Sequence, residues 1–552
     1  MSASAFVRAL AERNRSPRTP QGASWIYVPY DQLTLERGPL SRANPADTCV
    51  VFIESADKPS RRRYHKKKLA FLLANERHFA LEVAERGFAV RYLTGEASFA
   101  EQLTEAMREH RPREVLLQRP AERELREELA SVEGLEVVPN ELWLTSEEDF
   151  TSACGASPPW RMDAFYRGVR RRTGVLMDED DKPLGGRYSF DGDNRQRWNG
   201  DPPAPVPPRF EPDAITREVL ALIERRWPRH FGALEGFAMP CSSADATAMF
   251  EFVCRSCLEH FGPYEDAMSD DDATLFHTQL SSLINIGRVL PSAVVTAATK
   301  ALDEERAPLQ SVEGLVRQVL GWREFVRHVH ERTDGFRTIA SDARPSELDA
   351  HEGLPPAFWD ARETGLRCLD RTLSTVWNTG YSHHITRLMV LSNIATLLGV
   401  EPKELSDWFW IAYTDAFDWV VEPNVLAMGT FGAGPVMTTK PYVAGAGYVH
   451  RMSDHCARCR FDPTGKDRAR PCPLTPMYWS FLDRNIDRLA KIDRVGPAIL
   501  SARKRTPAQR ERDANVLARV RARLAAGEPL EASIASDPTI VATKTVARRA
   551  KK

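Results

Sequence analysis

No stretch of this chain approaches the run of about 20 apolar residues that a bilayer span needs. No basic start, apolar run and small-residue cleavage site opens it either. Net charge is nearly absent: 75 Lys and Arg stand against 76 Asp and Glu, so no global field announces a polyanionic partner. Cysteine cannot be paired off, because nine is an odd number. These absences point to a soluble protein of the reducing cytoplasm, where clustered thiols signal metal and not disulfides. A G-x-G-x-x-G after the first apolar strand is missing too, which removes support for a Rossmann dinucleotide site.

What is present divides the chain. At 552 residues it exceeds one hydrophobic core. Residues 1–20 have little apolar periodicity and read as a disordered extension. Over 21–145, β-branched runs at Trp25–Val28, Cys49–Ile53, Ala89–Leu93, Val115–Leu117 and Leu135–Val138 alternate with helical patterns at Lys66–Arg86, Phe99–Arg108 and Ala121–Ser131. That alternation predicts an α/β domain with a parallel sheet and any ligand at the carboxyl ends of its strands, where Asp31, Gln32 and Glu54 fall. Residues 146–213 turn basic, then Gly- and Pro-rich, and read as an interdomain linker. Residues 214–500 carry helical spacing throughout and form a large all-α domain. Residues 501–552, with thirteen Lys/Arg against five Asp/Glu, form a basic tail with a candidate amphipathic helix at Arg510–Leu524.

The densest chemistry lies between Cys368 and Cys472. Cys456 and Cys459 form a C-x-x-C, Cys472 is followed by Pro473, and Cys368 lies far upstream. Four thiolates drawn together would suit zinc or a cubane iron–sulfur cluster; unconnected buried thiols are the plain alternative. Cys254-x-x-Cys257 with Cys241 is rejected as a site, since two thiols on one helix face have no fourth ligand indicated.

Several further stretches resemble the photolyase/cryptochrome family. His277-Thr-Gln-Leu-Ser-Ser-Leu-Ile-Asn-Ile-Gly287, after Tyr264, is similar to its flavin phosphate loop. Gly321–His328 is similar to its Trp-Arg-Glu-Phe helix, and Trp377–Leu388 to its Asn-x-Gly-x-x-His-x-x-x-Arg segment. Tyr413–Asp418 stands where the family carries a flavin-facing Asp pair. The four cysteines resemble the iron–sulfur bacterial branch, which includes the prokaryotic (6-4) photolyases, as do His65–Lys68 and Gly185–Arg195.

That resemblance implies FAD held by Tyr264, His277, Thr278, Gln279, Leu280, Ser281, Asn378, Arg387, Asp415 and Asp418. It implies a [4Fe-4S] cluster on Cys368, Cys456, Cys459 and Cys472, and a 6,7-dimethyl-8-ribityllumazine antenna at Glu54, Asp31 and Gln32. It further implies His384 as the proton-moving residue in a pocket with Tyr442 and Tyr448, and electron transfer through Trp408 and Trp359. The family's usual Trp-Gln-Trp is replaced by Met428–Gly434, so the ordinary tryptophan chain is absent. The expected partner is UV-damaged DNA, bound by a cytoplasmic monomer through cations such as Lys440, Arg451 and Arg170–Arg172. The expected activity is light-driven repair of (6-4) photoproducts; a blue-light photoreceptor, or a zinc-stapled domain without flavin, are the competing readings.

Overall fold

The computed structural model of the chain describes residues 4–14 and 22–536. The five β-branched runs form β1 (Ser24–Tyr27), β2 (Thr48–Ser55), β3 (Ala89–Gly95), β4 (Glu114–Gln118) and β5 (Leu135–Val138). All pairings are parallel, in the order β3-β2-β1-β4-β5. Ser24 of β1 faces Thr48 on one side and Glu114 on the other, so the strand order reverses about β1 and opens a crevice at its carboxyl end. Nearly every residue of β2 is buried, as a parallel strand covered on both faces requires.

The helix Lys66–Glu85 packs on β2, β3 and the helix Ala214–Arg226, which explains why it is buried almost all round. His65 caps its start by accepting the Lys67 N–H at 3.0 Å. The same His65 reaches the Val376 and Trp377 carbonyls through Nε2 (3.1 and 3.0 Å), and Lys68 Nζ donates to the Trp410 and Ala416 carbonyls (2.9 and 2.6 Å). These contacts tie the α/β layer to the ends of two helices, Arg367–Thr379 and Pro402–Ala412, where carbonyls lack partners.

Beyond Ala214 every element among the described residues is helical. Three wide, π-type turns interrupt the helices, at Arg317–Arg323, Arg387–Ser392 and Pro423–Gly429. Such turns re-aim side chains at functional positions, and the second presents Arg387. No helix among the described residues is long and apolar enough to cross a membrane.

Two sequence expectations need correction, and a third is extended. Within the supposed disordered extension, Ala5–Arg13 is a helix capped by Ser4, with Phe6 buried edge-on against Tyr92 at 4.6 Å and the Ala5 N–H bonded to Glu218. Its short apolar stripe gains meaning only from that distant partner. In the linker, Arg170 is fully buried and donates to the Val175, Tyr188 and Leu176 carbonyls, so it is a structural cation and not a DNA contact. In the basic tail the expected helix forms, as Pro507–Ala525, and buries Val516, Leu517, Val520 and Leu524 against the helix Leu474–Arg484; residues 537–552 lie outside the described residues.

Candidate functional site

The four distant-and-clustered cysteines come together. Cys368 sits at the start of the helix Arg367–Thr379, which packs on the turn His455–Arg458. The Cys459 N–H closes onto the Cys456 carbonyl at 3.3 Å, and the Cys472 N–H onto Asp462 O at 2.9 Å, so two turns present three sulfurs to the helix. Burial first, then Cys472, Cys459 and Cys456 as neighbours, push the Cys368 thiol well above its ordinary range. Burial with Cys459 as a neighbour raises Cys456 to about 11, and burial with Cys459 and Cys456 raises Cys472 to about 12. Four thiols gathered in this way, Cys368 buried and the other three half-buried, are the donor set that a thiophilic metal or cluster binds as thiolates. The remaining cysteines stand apart: Cys254 and Cys257 neighbour each other, and Cys241 bonds to Met239 O.

A second constellation centres on Asp415. Arg387 donates to it through both terminal nitrogens (3.1 and 3.0 Å), Ser281 Oγ donates at 2.6 Å, and Asn285 Nδ2 donates to its main-chain carbonyl at 2.9 Å. Burial raises the Asp415 carboxyl, but Arg387 and Ser281 outweigh it and hold it below its ordinary range. The guanidinium also lies over the Tyr413 ring at 4.1 Å. Gly380 ends the helix Arg367–Thr379 in the left-handed region (φ +68), where a Cβ would stand 2.7 Å from Thr414 Cγ2. That close approach brings Thr414 within 3.0 Å of Ser282. Leu280 is buried and Thr278 half-buried, and the turn before Ser281 places Gln279 at φ +53, a strained conformation for a non-glycine.

Other expected flavin residues are placed differently. Asn378 is exposed and its amide bonds back to Ser374 of its own helix. Tyr264 stacks on Phe276 and donates to Asp201 O. Asp418 does not join Asp415: its carboxylate accepts the Glu124 N–H at 3.2 Å, facing the α/β layer, because the chain reverses sides between them.

Beside Asp415 the histidines gather. His277 and His383 stack at 4.1 Å, and His384 lies 5.5 Å from His277; one ring nitrogen from each of the three lies within 4.8 Å of the others. His383 Nδ1 is buried with no hydrogen-bond partner. His384, by contrast, reaches solvent with 42% of its side chain exposed, and its Nε2 stands 3.8 Å from Asp266. Asp266 also accepts from Tyr448 OH at 3.4 Å and lies 3.7 Å from Arg195. Burial raises this carboxyl, yet His384, Arg195 and Tyr448 together hold it below its ordinary range. Tyr442 is half-buried on the same rim, near Asp191 and Arg195. Asp266 was not anticipated from sequence, where it reads as one more charge in an acidic loop.

At the strand ends a narrow cleft opens between Tyr30, Glu54, Lys58, Lys68, Leu72, Phe99, Glu122 and Phe417. Glu54 lines it, bound by Arg77 (3.0 and 2.9 Å) and Tyr92 OH (3.1 Å). Asp31 and Gln32 do not line it: Asp31 accepts the Ala121 N–H at 2.9 Å and Gln32 donates to Gln118 O at 2.8 Å. On the far side of the Asp415 constellation, Trp408 lies 5.9 Å from Tyr413 and packs on Phe358 at 5.1 Å, while the adjacent Trp359 is 37% exposed.

Residues 26–239 match the family described as deoxyribodipyrimidine photo-lyase-related protein, and residues 316–465 match the FAD binding domain of DNA photolyase. A (6-4) photolyase of Agrobacterium fabrum is 34% identical over 475 residues, covering 84% of this chain and 92% of that protein. Among solved structures, a bacterial class III photolyase from Agrobacterium tumefaciens aligns over 97% of this chain and 98% of its own, with a TM-score of 0.52 and 15% identity. A cryptochrome from Synechocystis aligns over 89% and 94%, with a TM-score of 0.52 and 14% identity. At those identities the structural matches speak for the fold alone.

Proposed function

Because the chain belongs to the photolyase/cryptochrome family, we propose that it is a light-driven DNA repair enzyme acting on (6-4) pyrimidine–pyrimidone photoproducts. The observation that carries this reading is the convergence of His384, Tyr448 and Arg195 on Asp266, beside the Arg387–Asp415 pair. In this reading residues 21–145 form an antenna domain, 146–213 a linker and 214–500 the catalytic domain.

FAD would be held by Thr278, Gln279, Leu280 and Ser281 and by Asp415 and Arg387, with His277 and Tyr264 nearby. The partnerless His383 Nδ1 and the strained Gln279 support a polar ligand there. When bound, FAD supplies light absorption and the electron for repair. The chain's own part is to hold the flipped lesion and to move its proton. His384 reaches solvent on one side and Asp266 on the other, so a proton at its ring can be offered to a lesion and the resulting charge change borne by a carboxylate that stays ionised near neutral pH. Tyr448, through Asp266, and Tyr442 would fix that geometry. Trp408 and Trp359 would carry electrons from the surface toward Tyr413. Lys440, Arg451, Arg171 and Arg172 are the candidate phosphate contacts.

Cys368, Cys456, Cys459 and Cys472 would hold a [4Fe-4S] cluster, a reading supported by four thiols with no nitrogen or oxygen ligand needed to complete the set. The strand-end cleft would take a ribityl lumazine antenna, its ring among Tyr30, Phe99 and Phe417 and its polar edges on Lys58, Lys68 and Glu54. Blue-light repair of an oligonucleotide carrying one (6-4) lesion, by anaerobically purified protein, tests the function. Flavin photoreduction without repair would instead favour a photoreceptor.

A further inference from the structure

Three of the four cysteines are immediately preceded by a hydrogen-bond donor: Arg367 before Cys368, His455 before Cys456, and Arg458 before Cys459. All three donors end on one carboxylate. Arg367 donates to Asp270 through Nε (2.8 Å) and a terminal nitrogen (2.7 Å), His455 Nδ1 lies 3.1 Å from Oδ1, and Arg458 donates to Oδ2 at 2.8 Å. The Asp270 side chain is fully buried. Its main chain is held as firmly: its N–H donates to Asp454 at 2.6 Å, and its carbonyl accepts from Arg371 Nε at 2.7 Å. Met268 pairs with Ser453 in the same stretch. Seven residues further on, the chain reaches His277 and the loop ahead of Ser281.

We propose that Asp270 is the positioning residue of the four-sulfur cage: one buried carboxylate grips the residue ahead of each of three cysteines, registering them for the cluster and balancing the charge around it. The inference rests on the cluster reading given above. Four good donors on two oxygens, from a helix start and a turn far apart in sequence, is what a common anchor requires. Groups outside the ligand sphere that orient ligands in this way govern metal retention and electronics. Asp270 also balances two guanidinium groups; without it, the surplus positive charge would favour the reduced cluster.

The test uses full-length wild type, Asp270→Asn, Asp270→Glu and Asp271→Asn, purified anaerobically, with flavin content as a control for folding. Iron and acid-labile sulfide per chain, the rate of cluster bleaching under excess EDTA, and the cluster potential from an EPR-monitored titration are the readouts. Asp270→Asn is expected to bleach about tenfold faster or more, the range typical for such partners, and to shift the potential positive. Asp270→Glu, which keeps the charge, should keep a potential close to wild type. Asp271→Asn, which removes only an exposed partner of Arg458, should bleach within about twofold of wild type. If Asp270→Asn fails to fold, Arg458→Gln replaces it, since that side chain is 53% exposed; at least threefold faster bleaching is then expected. Unchanged bleaching and potential in the folded variant would overturn the inference alone. Wild type without iron would instead overturn the cluster reading on which it stands.

Discussion

The cleft at the strand ends and the histidine group beside Asp415 treat polar atoms in opposite ways. At the strand ends two cation–carboxylate pairs form before anything binds: Lys58 pairs with Glu122 at 2.6 Å, and Arg77 grips Glu54 with two bonds. Tyr30, Leu72, Phe99 and Phe417 cover the rest. Among the histidines, His383 Nδ1 has no partner, both His277 nitrogens face carbonyls, and His384 reaches solvent. A receptacle that only has to hold a chromophore satisfies its groups in advance; a site that transfers protons cannot.

The largest test of this contrast is His384→Ala. Repair of a (6-4) lesion should fall by about 10²–10⁴-fold, the usual worth of a positioned acid or base, while flavin content and photoreduction stay at wild-type levels. Repair at an undiminished rate would remove proton transfer from this side of the molecule. Asp415→Asn comes next. It leaves the half-buried Arg387 with a neutral partner, and since breaking a fully buried pair costs about 3–5 kcal/mol, thermal stability and flavin retention should fall together by up to that amount. Glu54→Gln should cost clearly less, because Arg77 keeps a second partner in Glu218 at 3.1 Å. Equal losses in the two variants would erase the distinction drawn between the regions.

Legibility in the sequence follows the same divide. The sheet was readable because β1 to β5 are short apolar runs bounded by turns, and the burial of the central β1 and β2 on both faces needs no partner specified elsewhere. The four cysteines were readable from spacing, and Arg387, Asp415 and His384 from a family resemblance. Asp266 and Asp270 were not. They sit in a run of acidic residues from Glu265 to Asp272 that reads as a solvated loop. What turns Asp270 inward are donors 97, 185 and 188 residues away, and no local pattern announces them. Arg170 misled for the same reason, its carbonyl partners being set by how the chain after it folds back.

Acid separates the regions again. Burial raises the Asp31 carboxyl to about 7, against the pull of the Ala121 N–H, and raises Asp418 to about 6. A raised carboxyl is a liability at neutral pH: the folded state takes up its proton first, so stability is gained as pH falls through the folded value. Asp31→Asn keeps an oxygen for the Ala121 N–H and removes the buried charge. It should therefore stabilise the protein above pH 7, by up to about 4 kcal/mol on a three-unit displacement, and the gain should vanish near pH 4. Urea unfolding at both values checks it. Since Asp31 stands outside the cleft, antenna content should not change; its loss would return Asp31 to the binding site.

His277 should respond the other way. Its two nitrogens lie 2.9 and 3.1 Å from the Thr274 and Glu265 carbonyls, an arrangement that an imidazolium would satisfy completely. Burial opposes this, and the neighbouring His384 adds to it, pushing the ring down to about 4. Burial should win, because the ring also stacks on His383, whose proton affinity is depressed by the same cause. A histidine lowered in the fold contributes its full stability above the unfolded value near 6.5, and loses it as pH falls toward 4. Wild type should therefore lose about 3 kcal/mol more than His277→Asn between pH 7 and pH 4. If the two unfold in parallel across that range, His277 is already charged in the folded state. The carbonyls would then have outweighed desolvation, and the histidine group would be a satisfied site after all.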